Sequence, residues 1–377
     1  MNPDPNKPWE QLFPPTSTGQ IAVCRTLRLL RRHGQPLLML PTSVVAARQA
    51  LNLYPAQSWK ARLARQALSF LQTCRLPFGT ETCELAFAAD LPFTRFMFPP
   101  ETAASETSFA ILFGNPNVSG RRFVLPLFDG TGCPLRVIKA GVGRRAMELV
   151  GQEAAFIRQL TSERLHAPQL LGEFKGENIA AVAFTYASGP TPSPQVTGPI
   201  PSILESWLQC ERTVRFDELA VAQRLAEHCP ADELTRSARR KLAAVTCHPC
   251  IHHGDFAPWN LRIEPGTDRW QILDWERGES SGPPLWDWLH YTIQPLVLVR
   301  KASAAAILSH LEHFQQRPDV VHYTTRAGIT SHFDALVLGY LLYCRDVIRQ
   351  AEGMPTIRAL TELVYTGKSR AGGNCPP

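Results

Sequence analysis

The stretch Ile251-His-His-Gly-Asp255-Phe-Ala-Pro-Trp-Asn260-Leu-Arg262, followed by Trp270-Gln-Ile-Leu-Asp274-Trp-Glu276, decides how the rest of the chain is read. Two carboxylates and an amide stand on loops beside Leu261–Ile263 and Gln271–Leu273, short apolar segments that read as strands. Phosphoryl transfer needs a carboxylate to orient and deprotonate a hydroxyl, with oxygen ligands for Mg²⁺ nearby. An Asp, then an Asn, then a second Asp closing an apolar strand supply that set. Just upstream, Cys247-His-Pro-Cys250 with His252 and His253 invites a zinc reading. No second Cys-x-x-Cys exists to complete such a site.

Working outward, residues 202 onward are dominated by helical spacing, over 202–210, 217–228, 231–246, 285–316 with breaks, 332–350 and 355–366. Upstream, 107–190 reads as strands around one helix. Phe109–Phe113, Arg122–Phe128 and Leu135–Lys139 come first, then a helix over Arg144–Leu160, then strands over Leu170–Phe174 and Ile179–Tyr186. Turn signals at Gly114–Gly120 and Asp129–Gly132 separate the first three strands, and five prolines in 188–201 mark a connector. Nearer the start, Pro36–Pro41 reads as a brief buried strand, with helices expected from Ser43 to Leu53 and from Ser58 to Cys74.

His253-Gly-Asp255-x4-Asn260 with Ile272-Leu-Asp274-Trp-Glu276 resembles the catalytic and metal motifs of the aminoglycoside phosphotransferase/choline kinase family. The resemblance covers roughly residues 107–350 and is more specific in its second half. It implies an α+β, two-lobed protein-kinase-like fold, with a small β-rich N-lobe, a larger helical C-lobe and an extra basic N-terminal segment. The expected divisions are 1–105 (basic accessory segment), 106–187 (N-lobe), 188–366 (C-lobe) and 367–377 (frayed tail). By resemblance, Asp255 is the catalytic base, Asn260 and Asp274 bind Mg²⁺, His253 supports the catalytic loop and Asp287 braces it. ATP is the implied phosphoryl donor.

The same resemblance requires a Lys on the third strand to hold the nucleotide phosphates and a Glu on the next helix to hold that Lys. Lys139 ends the third strand-like run, and Glu153 lies mid-helix ahead of Phe156 and Leu160; Glu148 is the rival. The turn Gly114–Gly120 would cover the phosphates without a Gly-x-Gly-x-x-Gly, and the base would meet the backbone around Phe184 and Tyr186.

The acceptor is expected to be a small molecule with a hydroxyl group. Five of the eight tryptophans fall within 259–288. Trp270 and Trp286 are expected to pack the core, whereas Trp259 and Trp275, beside the metal-binding positions, are the candidates to stack on an acceptor. Residues 289–350 offer few acids against several Arg, Lys and His, which favours a sugar or polyol over a polycation. A nucleotide-binding pseudokinase without turnover is the alternative. A protein kinase is disfavoured, since no Asp-Phe-Gly or Ala-Pro-Glu follows the loop.

Composition bounds these readings. With 377 residues, 44% hydrophobic and 19% charged, the chain is neither disordered nor a coiled coil, and its ten scattered cysteines suit reduced thiols. The net charge of +6 is concentrated at the front, where residues 1–75 carry ten Lys/Arg against Asp4 and Glu10. Arg25–Arg32 and Lys60–Arg65 are therefore a candidate patch for an anionic membrane surface or glycan. No nucleic-acid-reading motif is present. No apolar run reaches membrane-spanning length and no secretory leader opens the chain, so a cytoplasmic protein, at most peripheral to the membrane, is expected.

Overall fold

Leu27 and Leu29 alternate with polar and basic neighbours, and this period of two makes residues 22–32 a sheet strand. The computed structural model describes residues 4, 6–14, 22–53, 66–68, 70, 80–99, 107–114, 120–349 and 352–367. Two compact units divide the chain: residues 1–190 with 262–276, and residues 191–261 with 277–377.

The first unit is built on β1 (Ala22–Arg32), β2 (Gln35–Pro41), β3 (Glu81–Ala88), β4 (Ser108–Phe109), β5 (Ile111–Phe113), β6 (Arg121–Phe128), β7 (Pro134–Val142), β8 (Leu170–Lys175) and β9 (Ile179–Phe184). They form one antiparallel sheet in the order β3-β1-β2-β5-β6-β7-β9-β8, with β4 also on β6. One face buries Leu27, Leu85 and Phe87 together with Phe109, Phe123 and Ile138, closed over by Trp9, Phe13 and Phe93. On the opposite face, α1 (Val44–Leu53) lays Ala46, Ala47, Ala50 and Leu51 against Leu38, Leu40 and Leu112.

The expected boundary between 105 and 106 is therefore absent from the fold. Strands from both sides of it share one sheet and one core, because the alternating apolar positions of β1 and β3 are buried with those of β5 and β6. Of the basic residues at the front, Arg25, Arg28, Arg31 and Arg32 lie on β1, and Arg31 pairs with Glu81 at 3.4 Å. Lys60–Arg65, nearly all of the expected helix over 58–74, positions 115–119 of the phosphate-covering turn and the tail beyond 367 lie outside the described residues.

Between α2 (Pro92–Met97) and β8 runs the helix that matters most to the site, α3 (Arg144–Leu160). Its buried positions Ala146, Val150, Glu153, Ala154 and Ile157 form one stripe at helical spacing, so Glu153 points inward with the apolar residues. Gly141 on β7 lets the start of α3 approach closely, since a Cβ there would stand 2.4 Å from the Ala146 carbonyl oxygen.

The second unit begins with α4 (Ile200–Ser206); the pair β10 (Val214–Arg215) and β11 (Thr246–Cys247) then brackets α5 (Ala220–His228) and α6 (Glu233–Ala243). Next, β12 (Cys250–His252) leads into the motif loop. The paired strands β13 (Leu261–Ile263) and β14 (Trp270–Ile272) follow, and from Arg262 to Glu276 the chain belongs to the first unit. This corrects the expectation of one continuous helical lobe over 188–366.

The chain returns as β15 (Glu279–Gly282), antiparallel to β12, then runs through α7 (Trp286–Gln294), α8 (Ala304–Gln315), α9 (Pro318–Arg326), α10 (Phe333–Leu342) and α11 (Met354–Thr366). Helices α7 and α10 each continue into a π-helical turn. Trp286 and Trp288 are fully buried on α7, the latter edge-on to Phe314 and Tyr323. Among the described residues, no helix is long and apolar enough to cross a membrane.

Candidate active site

In the first unit, one row of register partners crosses the sheet from Leu30 through Leu38, Leu112 and Val124 to Lys139, and on to Val182 and Glu173. Lys139 is the one cation in this row. Its ammonium lies 2.7 and 2.9 Å from the Glu153 carboxylate oxygens and 3.0 Å from Asp274 Oδ1. Glu148 instead faces Arg144 and Arg145 at the surface, so the geometry separates the two rival acids.

Burial alone would lower the Lys139 pKa, but Asp274 and Glu153 more than offset it, and the ammonium is held charged well above the ordinary lysine value. For Glu153, burial pushes the carboxyl up and Lys139 opposes that. The Trp275 backbone N–H adds a donor to Glu153 Oε1 at 3.1 Å.

Asp274 adopts a left-handed backbone (φ 70°), uncommon for a residue with a Cβ and costing about 1–3 kcal/mol. The turn directs its carboxylate to Lys139 and its successor inward. Trp275 stacks on Phe156 at 5.5 Å and donates its indole N–H to the Ile272 carbonyl. With 0% exposure it has no face to offer a ligand, which overturns its candidacy as an acceptor platform. Trp259, half-buried, retains part of its surface. Phe184 is buried with its ring centroid 6.0 Å from Lys139 Nζ, while Tyr186 donates its hydroxyl to the Gln49 carbonyl of α1 at 2.9 Å.

In the second unit, the motif loop is held by buried acceptors. Asp287, at the start of α7, accepts from the backbone N–H groups of His253 (2.7 Å) and Gly254 (3.0 Å). His253 Nδ1 accepts from the Asp255 N–H at 3.1 Å. Asn260 Nδ2 donates to the Asp255 carbonyl (2.9 Å) and to its carboxylate Oδ2 (3.0 Å). The Asp255 side chain remains 30% exposed, so an incoming group can reach it.

His290 escaped the sequence reading, and His252 entered it only as a zinc candidate. His290 Nε2 lies 3.0 Å from Asp255 Oδ1. His252, buried, lies between Asp287 (3.5 Å) and Glu279 (3.7 Å), which are ion-pair rather than hydrogen-bond distances. Burial would lower the His252 pKa, but the two carboxylates outweigh it and raise it. The one available signal for His290 was its place one helical turn after Asp287 on α7. The thiols of Cys247 and Cys250 are buried and pushed up, that of Cys247 to about 12. Among the described residues, no group of three or more His, Cys, Asp and Glu is placed to hold a metal ion.

Residues 193–291 match the phosphotransferase enzyme family. That stretch contains His253, Asp255, Asn260, Asp274 and Asp287, so the resemblance read from the motifs is borne out, and with it a phosphotransferase. Solved structures similar to this chain include an aminoglycoside phosphotransferase from Streptomyces rimosus, at 17% identity over 60% of this chain and 92% of that one, TM-score 0.36. A choline kinase from Cryptosporidium parvum is similar at 11% identity over 73% and 93%, TM-score 0.45. A fructosamine-3-kinase from Haemophilus somnus is similar at 9% over 68% and 90%, TM-score 0.41. These identities are too low to transfer an acceptor. No curated protein matches the chain.

Proposed function

We propose that the chain transfers the γ-phosphoryl group of ATP to a hydroxyl of a small neutral acceptor of the sugar or polyol class. The observation that carries this reading is the Lys139 ammonium held between Glu153 and Asp274. A cation fixed and kept charged in this way suits nucleotide phosphates. Asp255 would take the acceptor proton, its carboxylate held by Asn260. The donor set fits Mg²⁺ in kind. Asn260 spends its amide nitrogen on Asp255, which leaves Oδ1 as its ligand atom, and Asp274 brings a carboxylate. When bound, the ion would neutralise charge on the phosphates.

A cavity of about 190 Å³ in the second unit supports the acceptor class. Gln195, Thr197 and Tyr291 line it together with Arg300, His310 and Arg317. The Tyr291 ring lies 6.0 Å from that of Phe256, the neighbour of Asp255. A lining of hydroxyl, amide and basic groups would repel a polyamine and can hydrogen-bond a polyol.

Calorimetric titration of Mg²⁺·ATP and Mg²⁺·GTP into the wild type and Asp274→Ala tests the nucleotide half of this reading. Binding near micromolar, about 8 kcal/mol, that weakens in the variant is expected. Absence of binding to either nucleotide would refute the ATP assignment. ATP binding without turnover across a panel of sugars and polyols would instead favour a pseudokinase. Asp255→Asn is expected to abolish transfer while nucleotide affinity stays near wild type.

A further inference from the structure

We infer that His290 is a positioning residue for Asp255, set by a one-way chain of hydrogen bonds from Gln294 through Tyr340. This rests on the reading of Asp255 as the catalytic base. His290 and Gln294 lie one turn apart on α7, and Tyr340 comes from α10. His290 Nε2 is 3.0 Å from Asp255 Oδ1, His290 Nδ1 is 3.1 Å from the Tyr340 hydroxyl, and Gln294 Nε2 is 3.2 Å from that same hydroxyl. All three side chains are buried, with exposures of 5%, 2% and 1% for His290, Tyr340 and Gln294.

For a neutral imidazole, chemistry fixes the direction of the chain. An ionised carboxylate only accepts, so the imidazole nitrogen facing Asp255 must carry the hydrogen. A neutral ring then has Nδ1 as an acceptor, and the Tyr340 hydroxyl supplies its single hydrogen there. The Tyr340 oxygen in turn accepts from the Gln294 amide. Exchanging the Gln294 oxygen and nitrogen would draw the Tyr340 hydrogen towards Gln294 and leave Nδ1 without a donor. The native orientation instead leaves Gln294 Oε1 buried without a hydrogen-bond partner.

The consequence for Asp255 is a carboxylate held at both oxygens, by Asn260 at Oδ2 and by His290 at Oδ1. Two donors fix the plane of the group, and both favour its ionised form. A base aimed in this way meets the acceptor hydroxyl in one orientation, and loss of such aim costs about a hundredfold in rate. Tyr340 and Gln294 act through the imidazole.

The test compares His290→Phe, His290→Gln and Tyr340→Phe with wild type and Asp255→Asn, using Mg²⁺·ATP and the hydroxyl acceptor that the panel identifies, or ATP hydrolysis by water as the probe if none is found. His290→Phe removes the donor and is expected to lower kcat about a hundredfold with KM for ATP unchanged. The acid limb of its pH–rate profile should move to higher pH, because a donor to the ionised carboxylate has gone. His290→Gln can still donate an amide N–H and should recover at least tenfold of that loss. Tyr340→Phe leaves the ring in place but frees its tautomer, and should lie between the two.

Wild-type kcat and an unmoved acid limb in folded His290→Phe would overturn the proposal. So would equal loss in His290→Gln and His290→Phe with unshifted profiles, which marks a merely structural role. If His290→Phe does not fold, His290→Gln and Tyr340→Phe decide alone, and wild-type kcat in Tyr340→Phe refutes the chain. Undiminished turnover in Asp255→Asn would instead sink the reading of Asp255 itself, a different failure.

Discussion

Replacing Lys139 by Met should destabilise the first unit in a pH-dependent way. In the native protein, Lys139 and Glu153 stand 2.7 Å apart, and the Glu153 side chain is only 4% exposed. At an effective dielectric of about 20, that separation corresponds to about 6 kcal/mol of attraction, most of it offset by the cost of burying both charges. Removing the lysine removes the attraction and leaves the burial cost, a net loss of about 3–5 kcal/mol. The Trp275 N–H still donates to Glu153 Oε1 but brings no countercharge.

Glu153 can escape by taking up a proton, and burial already pushes its carboxyl upward. In Lys139→Met, the folded protein then binds a proton that the unfolded chain releases. The variant is therefore least impaired at low pH and loses stability as pH rises from the unfolded carboxyl value, about 4.3, through the folded one. Urea titrations at about pH 5.5 and about pH 8, followed by hydrogen exchange of α3 peptides, read this locally. The deficit should be small at the first pH and reach the full 3–5 kcal/mol range only at the second. The double variant Lys139→Met/Glu153→Leu should recover most of it at both. A pH-independent deficit, or wild-type stability at about pH 8, would refute the reasoning.

Three further outcomes are expected. Trp275→Ala removes the ring stacked on Phe156 and should cost about 3–5 kcal/mol in chemical denaturation, whereas an accessible acceptor platform would lose affinity with little loss of stability. Gly282→Ala would place a Cβ 2.3 Å from that of His252 and should lower stability by about 1–3 kcal/mol, read as a fall in Tm. His252 has a raised pKa, so its ion pairs with Asp287 and Glu279 stabilise fully below its unfolded value, about 6.5, and are lost as pH rises through the folded one. Wild type should therefore lose stability across that window in urea titrations, by about 1.4 kcal/mol for every tenfold by which folding tightens proton binding at His252, and His252→Phe should lose this slope.

The elements that carry chemistry are largely legible in the sequence, because they pair strong periodicity with sharp punctuation. The helix Arg144–Leu160 is readable to the residue, and Glu153 stands out from Glu148 because it runs with the apolar stripe that the structure buries. β1 is hidden because its alternation of Leu27 and Leu29 is broken up by arginines, which invites a reading by charge before one by period. Trp275 misleads for a related reason. Adjacency to Asp274 suggests the site, but the left-handed backbone at Asp274 sends the next side chain into the core. His290 cannot be singled out because its partners, Asp255 and Tyr340, lie 35 and 50 positions away, beyond any local pattern.

The interruption of the first unit between Pro190 and Arg262 has a consequence for how the protein comes into being. The sheet leaves the ribosome early, yet Lys139 must wait for a partner 135 positions downstream, and Glu153 for the Trp275 N–H 122 positions on. Until then, α3 carries Phe156 without the indole that stacks on it. Closure of so long a loop is slow, and the exposed intermediate is the species most prone to misassociate. A chain released at residue 190 would lack the turn that completes its charged centre, which makes Asp274–Glu276 a late checkpoint in biogenesis.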